Sequence, residues 1–233
     1  MNMVGILLGL LISVAIVVGA YYYFKQQGGS SNQASLVLNA VDGRKQIDTS
    51  VILPESVNQD KGLTFSYTCW LRFDDFSYRY GQEKVIFTKG DPGLSTVCPG
   101  LFLDANTNSI ITKLDTFGSQ EVIPIQNIPA KKWIHYALVV DQDSVDIYIN
   151  GTLKTHQSLT QLPRQNAGTV HVGVGGGFDG KIADLEYYNY FLNASQVQSI
   201  MGTAPDPPAP AAEDTNEAPT PPYFDISWWV GRA

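Results

Sequence analysis

Apolar and polar residues alternate through most of the chain after residue 34. The pattern is clearest in LTFSYTCWLRF, where Leu63, Phe65, Tyr67, Cys69, Leu71 and Phe73 share one face and Trp70 takes the other. A period of two predicts a strand with one face against a core. Shorter runs follow the same rule at 35–39, 51–53, 84–88, 101–104, 110–114, 121–125, 133–140, 145–149, 170–174 and 181–187, with Gly, Pro, Asn and Asp between them. Many short strands with such punctuation predict an all-β, antiparallel sandwich or jelly roll. Asn150-Gly151 supplies the positive φ angles of a two-residue hairpin turn. Asn193, followed by ASQVQSIM, predicts one short helix with Asn193 as its N-cap.

The two ends break the alternation. Residues 4–24 form an uncharged stretch in which Val4, Leu7, Leu10, Ile12, Ile16 and Val18 are typical, and Tyr21, Tyr22 and Tyr23 close it. Such a stretch has the length of a membrane-crossing helix, with its aromatic rings at the headgroup level. Val18-Gly19-Ala20 also fits the small-residue site of a cleaved signal peptide. The absence of a basic leader and the length of the apolar run favour a retained anchor over residues 1–25. A neck follows at 26–34. No Lys or Arg precedes the span, whereas Lys25, Arg44 and Lys45 follow it. The positive-inside bias therefore puts the globular domain, residues 35–202, on the cytoplasmic side. Residues 203–222 are a linker rich in Pro, Ala and acidic residues. Residues 223–233 carry Tyr223, Phe224, Trp228 and Trp229, side-chain types that anchor interfaces. This segment folds back on the domain, docks on a partner or lies in a membrane interface.

A chain of 233 residues holds one such domain plus these appendages. A net charge of −7 without a basic stripe argues against nucleic-acid binding. Cys69 falls on the core face. Cys98 is expected in a loop, and a bridge between the two requires an oxidising compartment.

Two stretches carry a family resemblance. WIHYA leads to YING through Trp133, His135, Ala137, Tyr148, Asn150 and Gly151. GKIADLEYYNYFL runs through Gly180, Ile182, Asp184, Leu185, Tyr188, Asn189 and Leu192. Both resemble the concanavalin A-like, laminin-G-like jelly-roll family over roughly residues 35–201. That resemblance implies the fold. It does not imply one function, because the fold hosts enzymes, lectins and adhesion modules.

Candidate chemistry is sparse. Retaining glycosidases need two carboxylates about 5 Å apart. The glucanases of this family carry Glu-x-Asp-x-x-Glu or a one-residue-longer variant, and this chain has no such run. Asp184 and Glu186 are the nearest pair, and Asp184 matches a structural strand of the family. His135, His156 and His171 show no metal-ligand spacing, and His135 reads as a packed structural residue. The run from Gly173 to Gly177 lacks the Gly-Lys-Ser/Thr ending of a phosphate loop. No cofactor is implied beyond a structural calcium, which laminin-G-like domains carry on the rim. Asp74, Asp75, Asp91 and Asp104 are its candidates, and solvated loop acids are their other reading. The sequons at Asn150 and Asn193 coincide with the turn and cap residues.

Two functional expectations follow. The first is a non-enzymatic, membrane-anchored interaction or structural protein. Its plan is similar to anchored laminin-G-like proteins of large double-stranded DNA viruses, where minor capsid proteins link an internal membrane to the capsid. The second is a surface carbohydrate-binding module in which exposed aromatics such as Trp70 or Tyr80 stack on sugars.

Overall fold

The computed structural model describes residues 13, 14, 16–19 and 32–203. Residues 32–203 build an antiparallel sandwich of two sheets, as a jelly roll requires. The larger sheet has eight strands, ordered β1 (Ala34–Leu38), β14 (Asp179–Tyr188), β5 (Gly62–Asp75), β10 (Trp133–Asp141), β11 (Ser144–Ile149) and β12 (Thr152–Ser158). Two short strands join it off that path: β2 (Val41–Asp42) pairs with β14, and β4 (Val57–Gln59) pairs with β5. The second sheet has six strands in the order β3 (Ile47–Asp48), β13 (Thr169–Val172), β6 (Lys84–Gly90), β7 (Val97–Leu103), β8 (Ile110–Leu114) and β9 (Glu121–Ile125).

The alternation read from β5 is the alternation of the core. Phe65, Tyr67, Cys69, Leu71 and Phe73 are buried between the sheets, where they meet Phe87 and Leu101 of the second sheet and Tyr136 and Tyr187 of their own. Tyr67 stacks on Phe87 at 5.8 Å and tilts against Tyr187 at 5.0 Å. Buried aromatic pairs of this kind contribute beyond their area. Cys98 is also a core residue, not a loop residue, because β7 begins at Val97. Both thiols are free, and burial pushes both pKa values up.

The run 51–53 forms no strand. Leu53 packs on the core while Ile52 is 93% exposed. Pro54 follows and has no N–H for a ladder, but its carbonyl accepts the Tyr187 hydroxyl at 3.0 Å. The edge strand β12 has no expected counterpart because its sequence, TLKTHQS, is almost wholly polar and exposed.

One helix, α1 (Ala194–Thr203), closes the domain. Gln196 N–H donates to Asn193 Oδ1 at 2.9 Å, and Asn193 N–H donates to Gln196 Oε1 at 2.9 Å. This reciprocal cap satisfies two donors that a helix start leaves open. The hairpin turn also has its expected form, with φ of 49° at Asn150 and 70° at Gly151.

Among the described residues no helix is long and apolar enough to cross a membrane. Residues 13, 14 and 16–19 are helical, with Val14, Ile16, Val17 and Val18 exposed. Most of the expected anchor, including Val4, Leu7, Leu10, Ile12, Tyr21, Tyr22 and Tyr23, lies outside the described residues. So do the linker from residue 204 and the aromatic segment with Tyr223, Phe224, Trp228 and Trp229.

Candidate functional site

The outer face of the eight-stranded sheet is divided in two. Cross-strand register sets its rows. Val139, Ser66 and Tyr188 form one row, and Ala137, Thr68 and Glu186 the next. Leu192 and α1 cover this half: Leu192 and Val197 pack with Ala137, Val139, Tyr148 and Tyr188. The following rows are His135, Trp70 and Ala183, then Trp133, Arg72 and Lys181. No described helix lies on these two rows.

The half beyond the helix is built from alternation on paired strands. Leu71, Phe73 and Ile134 point into the core, so Trp70, Arg72, Trp133 and His135 point away from it. The Trp70 and His135 rings meet edge to face at 5.2 Å. Both indoles are half-buried, and His135 is 1% exposed. Trp70 Nε1, Trp133 Nε1 and His135 Nδ1 are buried and have no hydrogen-bond partner. Burial alone lowers the His135 pKa to about 4, which keeps the ring neutral at pH 7. Arg72 donates its Nε–H to Asp74 at 2.7 Å. Lys181 completes the row, partly exposed.

Three unpaired nitrogens in one patch are costly. Each unsatisfied buried donor or acceptor typically costs about 1–3 kcal/mol. A ligand that brings acceptors, after a small turn of either indole ring, would repay it.

The other expected residues fall elsewhere. Tyr80 lies in the loop after β5, 68% exposed and off this face. Asp184 occupies a bulge in β14 at φ 49°, where burial raises its pKa. Glu186 accepts the Tyr188 hydroxyl at 2.5 Å, so it is engaged within its own strand. His156 pairs with Asp146 at 2.6 Å on the edge. His171 holds Asp48 through Nδ1 at 2.7 Å, while its Nε2 lies 3.3 Å from the Gly90 carbonyl and 3.2 Å from Thr169 Oγ1.

The glycine run forms a short 3-10 turn over Val174–Gly176. Its carbonyls at Gly175 and Gly176 receive Arg79 and the Tyr78 hydroxyl. A phosphate loop would instead present N–H groups. The four acids proposed for calcium each serve their own segment. Asp74 pairs with Arg72, Asp75 accepts from Ser77 N–H and Oγ at 2.7 Å, Asp91 accepts from Ser95, and Asp104 caps Asn106 and Thr107. Among the described residues no group of three His, Cys, Asp or Glu side chains is placed to hold a metal.

Sequence reasoning singled out Trp70 but not Trp133, Arg72 or Lys181 as members of one surface. The available signal was the alternation Trp70/Arg72 against Trp133/His135. It becomes a site only when β5 and β10 are known to pair.

A family model described as Laminin_G_3, concanavalin A-like lectin/glucanases superfamily, matches residues 44–198. No curated protein matches the sequence. Among solved structures, the receptor binding domain of botulinum neurotoxin D aligns at TM-score 0.57 and 14% identity, covering 75% of this chain and 46% of that one. The receptor binding domain of the C/D mosaic serotype gives 0.54 and 13%, covering 73% and 46%. The serotype G binding domain gives 0.52 and 17%, covering 75% and 47%. This chain thus spans under half of each toxin domain, and at these identities the likeness concerns the fold alone.

Proposed function

Because this chain belongs to the concanavalin A-like lectin/glucanases superfamily, we propose that it is a non-enzymatic binding module that engages carbohydrate on the half of its larger sheet beyond the helix. The observation behind this reading is the patch of Trp70, Trp133 and His135 with three unpaired nitrogens beside Arg72 and Lys181. Half-buried indoles offer flat apolar surface for sugar C–H faces, and their N–H groups offer direction. The superfamily contains lectins, and the similar toxin structures are receptor binding domains, which agrees with a recognition role.

The test is a glycan array probed with the full-length chain at millimolar calcium. The expected result is retention of at least one glycan class. Trp133→Ala and Trp70→Ala should each lose at least tenfold in affinity while keeping the melting temperature within a few degrees. Empty arrays, or unchanged binding by both variants, would sink the proposal.

A second reading rests on the two ends of the sequence. Residues 4–24 anchor the domain in a membrane on its cytoplasmic side, and the aromatic segment at 223–233 grips a protein shell such as a viral capsid. Protease protection in sealed microsomes separates the two. Digestion of the domain favours this linking role, and protection with a glycan at Asn150 or Asn193 favours surface carbohydrate recognition.

A further inference from the structure

A cavity lies apart from the sheet-face patch. It has a volume of about 270 Å³ and opens on the flank where β4, the start of α1 and Asn32 meet. Asn32, Gln59, Asn193 and Gln196 supply amides to its wall, and Tyr190 and Phe191 supply rings. None of its lining residues carries a formal charge at neutral pH.

We infer that this cavity binds a neutral, hydroxyl-rich ligand the size of one hexose ring. Three features converge on that class. First, the amides retain unused capacity of both kinds. Asn193 Oδ1 and Gln196 Oε1 are spent on the helix cap, which leaves their –NH₂ groups as donors. Gln59 and Asn32 are exposed and make no side-chain hydrogen bond among the described residues, so each offers an acceptor and two donors. A sugar hydroxyl both donates and accepts and can use such a wall fully. A carboxylate only accepts and an ammonium only donates, and neither meets a counter-charge in this wall.

Second, Phe191 stands 42% exposed at this cavity. Its ring gives the C–H face of a sugar an apolar surface to cover. Third, the volume falls below the range of about 300–1,000 Å³ typical of pockets for larger ligands, so a single ring fits better than a chain. The cavity is independent of the sheet-face site. No residue of the Trp70 and Trp133 rows lines it.

The ring has two sources: the end of a soluble glycan or the headgroup of a neutral glycolipid. The experiment uses purified full-length protein and saturation-transfer NMR with methyl hexosides and the matching methyl uronides. At least one hexoside should show transfer, and its uronide should bind at least fivefold more weakly. Phe191→Ala and Gln59→Ala, both at exposed positions and checked for unchanged melting, should each weaken hexoside binding at least fivefold. Vesicles with and without a monohexosyl lipid then assign the source. Enhanced binding to the sugar-bearing vesicles points to the lipid, and equal binding points to the soluble glycan.

The inference is overturned if no hexoside shows transfer, if uronides bind as well as hexosides, or if both variants bind like the parent. Loss in Trp133→Ala with full binding in the Phe191 and Gln59 variants would overturn it while leaving the sheet-face proposal standing.

Discussion

His135 shows how one residue ties the site to stability. It is 1% exposed, Nδ1 has no partner, and desolvation lowers its pKa from 6.5 to about 4. Between those values the unfolded chain binds a proton that the folded chain refuses, so folding stability rises with pH. Acidification from pH 6.5 to pH 4 should therefore remove about 3 kcal/mol, at roughly 1.36 kcal/mol per pH unit. Asp75, Asp91, Asp104 and Glu121 act in the same sense but at lower pH. Their pKa values are lowered by local hydrogen bonds, so their contribution is lost only below the ordinary carboxylate range. Urea titrations at pH 4, 5, 6 and 7 should show the His135 slope, and His135→Gln should flatten it. An unchanged slope in that variant would mean that other groups carry the pH dependence.

At the scale of elements, β14 carries a strict local requirement. Gly180 has φ of 152°, and a Cβ there would stand 1.9 Å from the Arg72 carbonyl oxygen. The clash is with backbone of β5, the strand at the centre of the larger sheet, so it cannot be relieved by a side-chain rotation. Gly180→Ala should destabilise the domain by roughly 2–4 kcal/mol, seen as a lower denaturant midpoint with little change in slope. A loss below about 0.5 kcal/mol, the range of an ordinary surface change, would show that β14 shifts freely against β5. The same pairing sets the open face, since Lys181 sits in register with Arg72. Gly180→Ala should therefore disturb ligand binding at the Trp133 row before it disturbs the helix-covered half.

For the whole molecule, the described sandwich is closed by its own helix. The large apolar residues between the sheets are already packed against one another. The aromatic segment at 223–233 is therefore expected to serve binding more than folding. Deleting it should leave the melting temperature within about 2 °C and weaken association with a shell or membrane partner. For a domain of this size, a drop of more than about 5 °C would correspond to a loss of more than 1 kcal/mol and would make the segment part of the core.

The sequence by itself determined the β class, the core face of β5, the Asn150-Gly151 turn and the Asn193 cap. Each of these is a local rule: a period of two, a positive φ, or an oxygen beside free helix N–H groups. The runs 110–114 and 121–125 became strands with those bounds for the same reason. Local rules failed where contact with distant residues decides the outcome. Val57–Gln59 and Thr152–Ser158 are strands because β5 and β11 offer them an edge, not because their residues alternate. Cys98 is in the core because β7 starts before Pro99. Both candidate sites were illegible for a related reason. Trp70 and Trp133 become neighbours through antiparallel pairing of strands about sixty residues apart. Asn32, Gln59 and Phe191 line one cavity only when the segment before β1, the sheet edge and the helix start converge. Sequence periodicity fixes which way a side chain faces. Only tertiary packing fixes what it faces, because register and edge contacts are set by long-range burial.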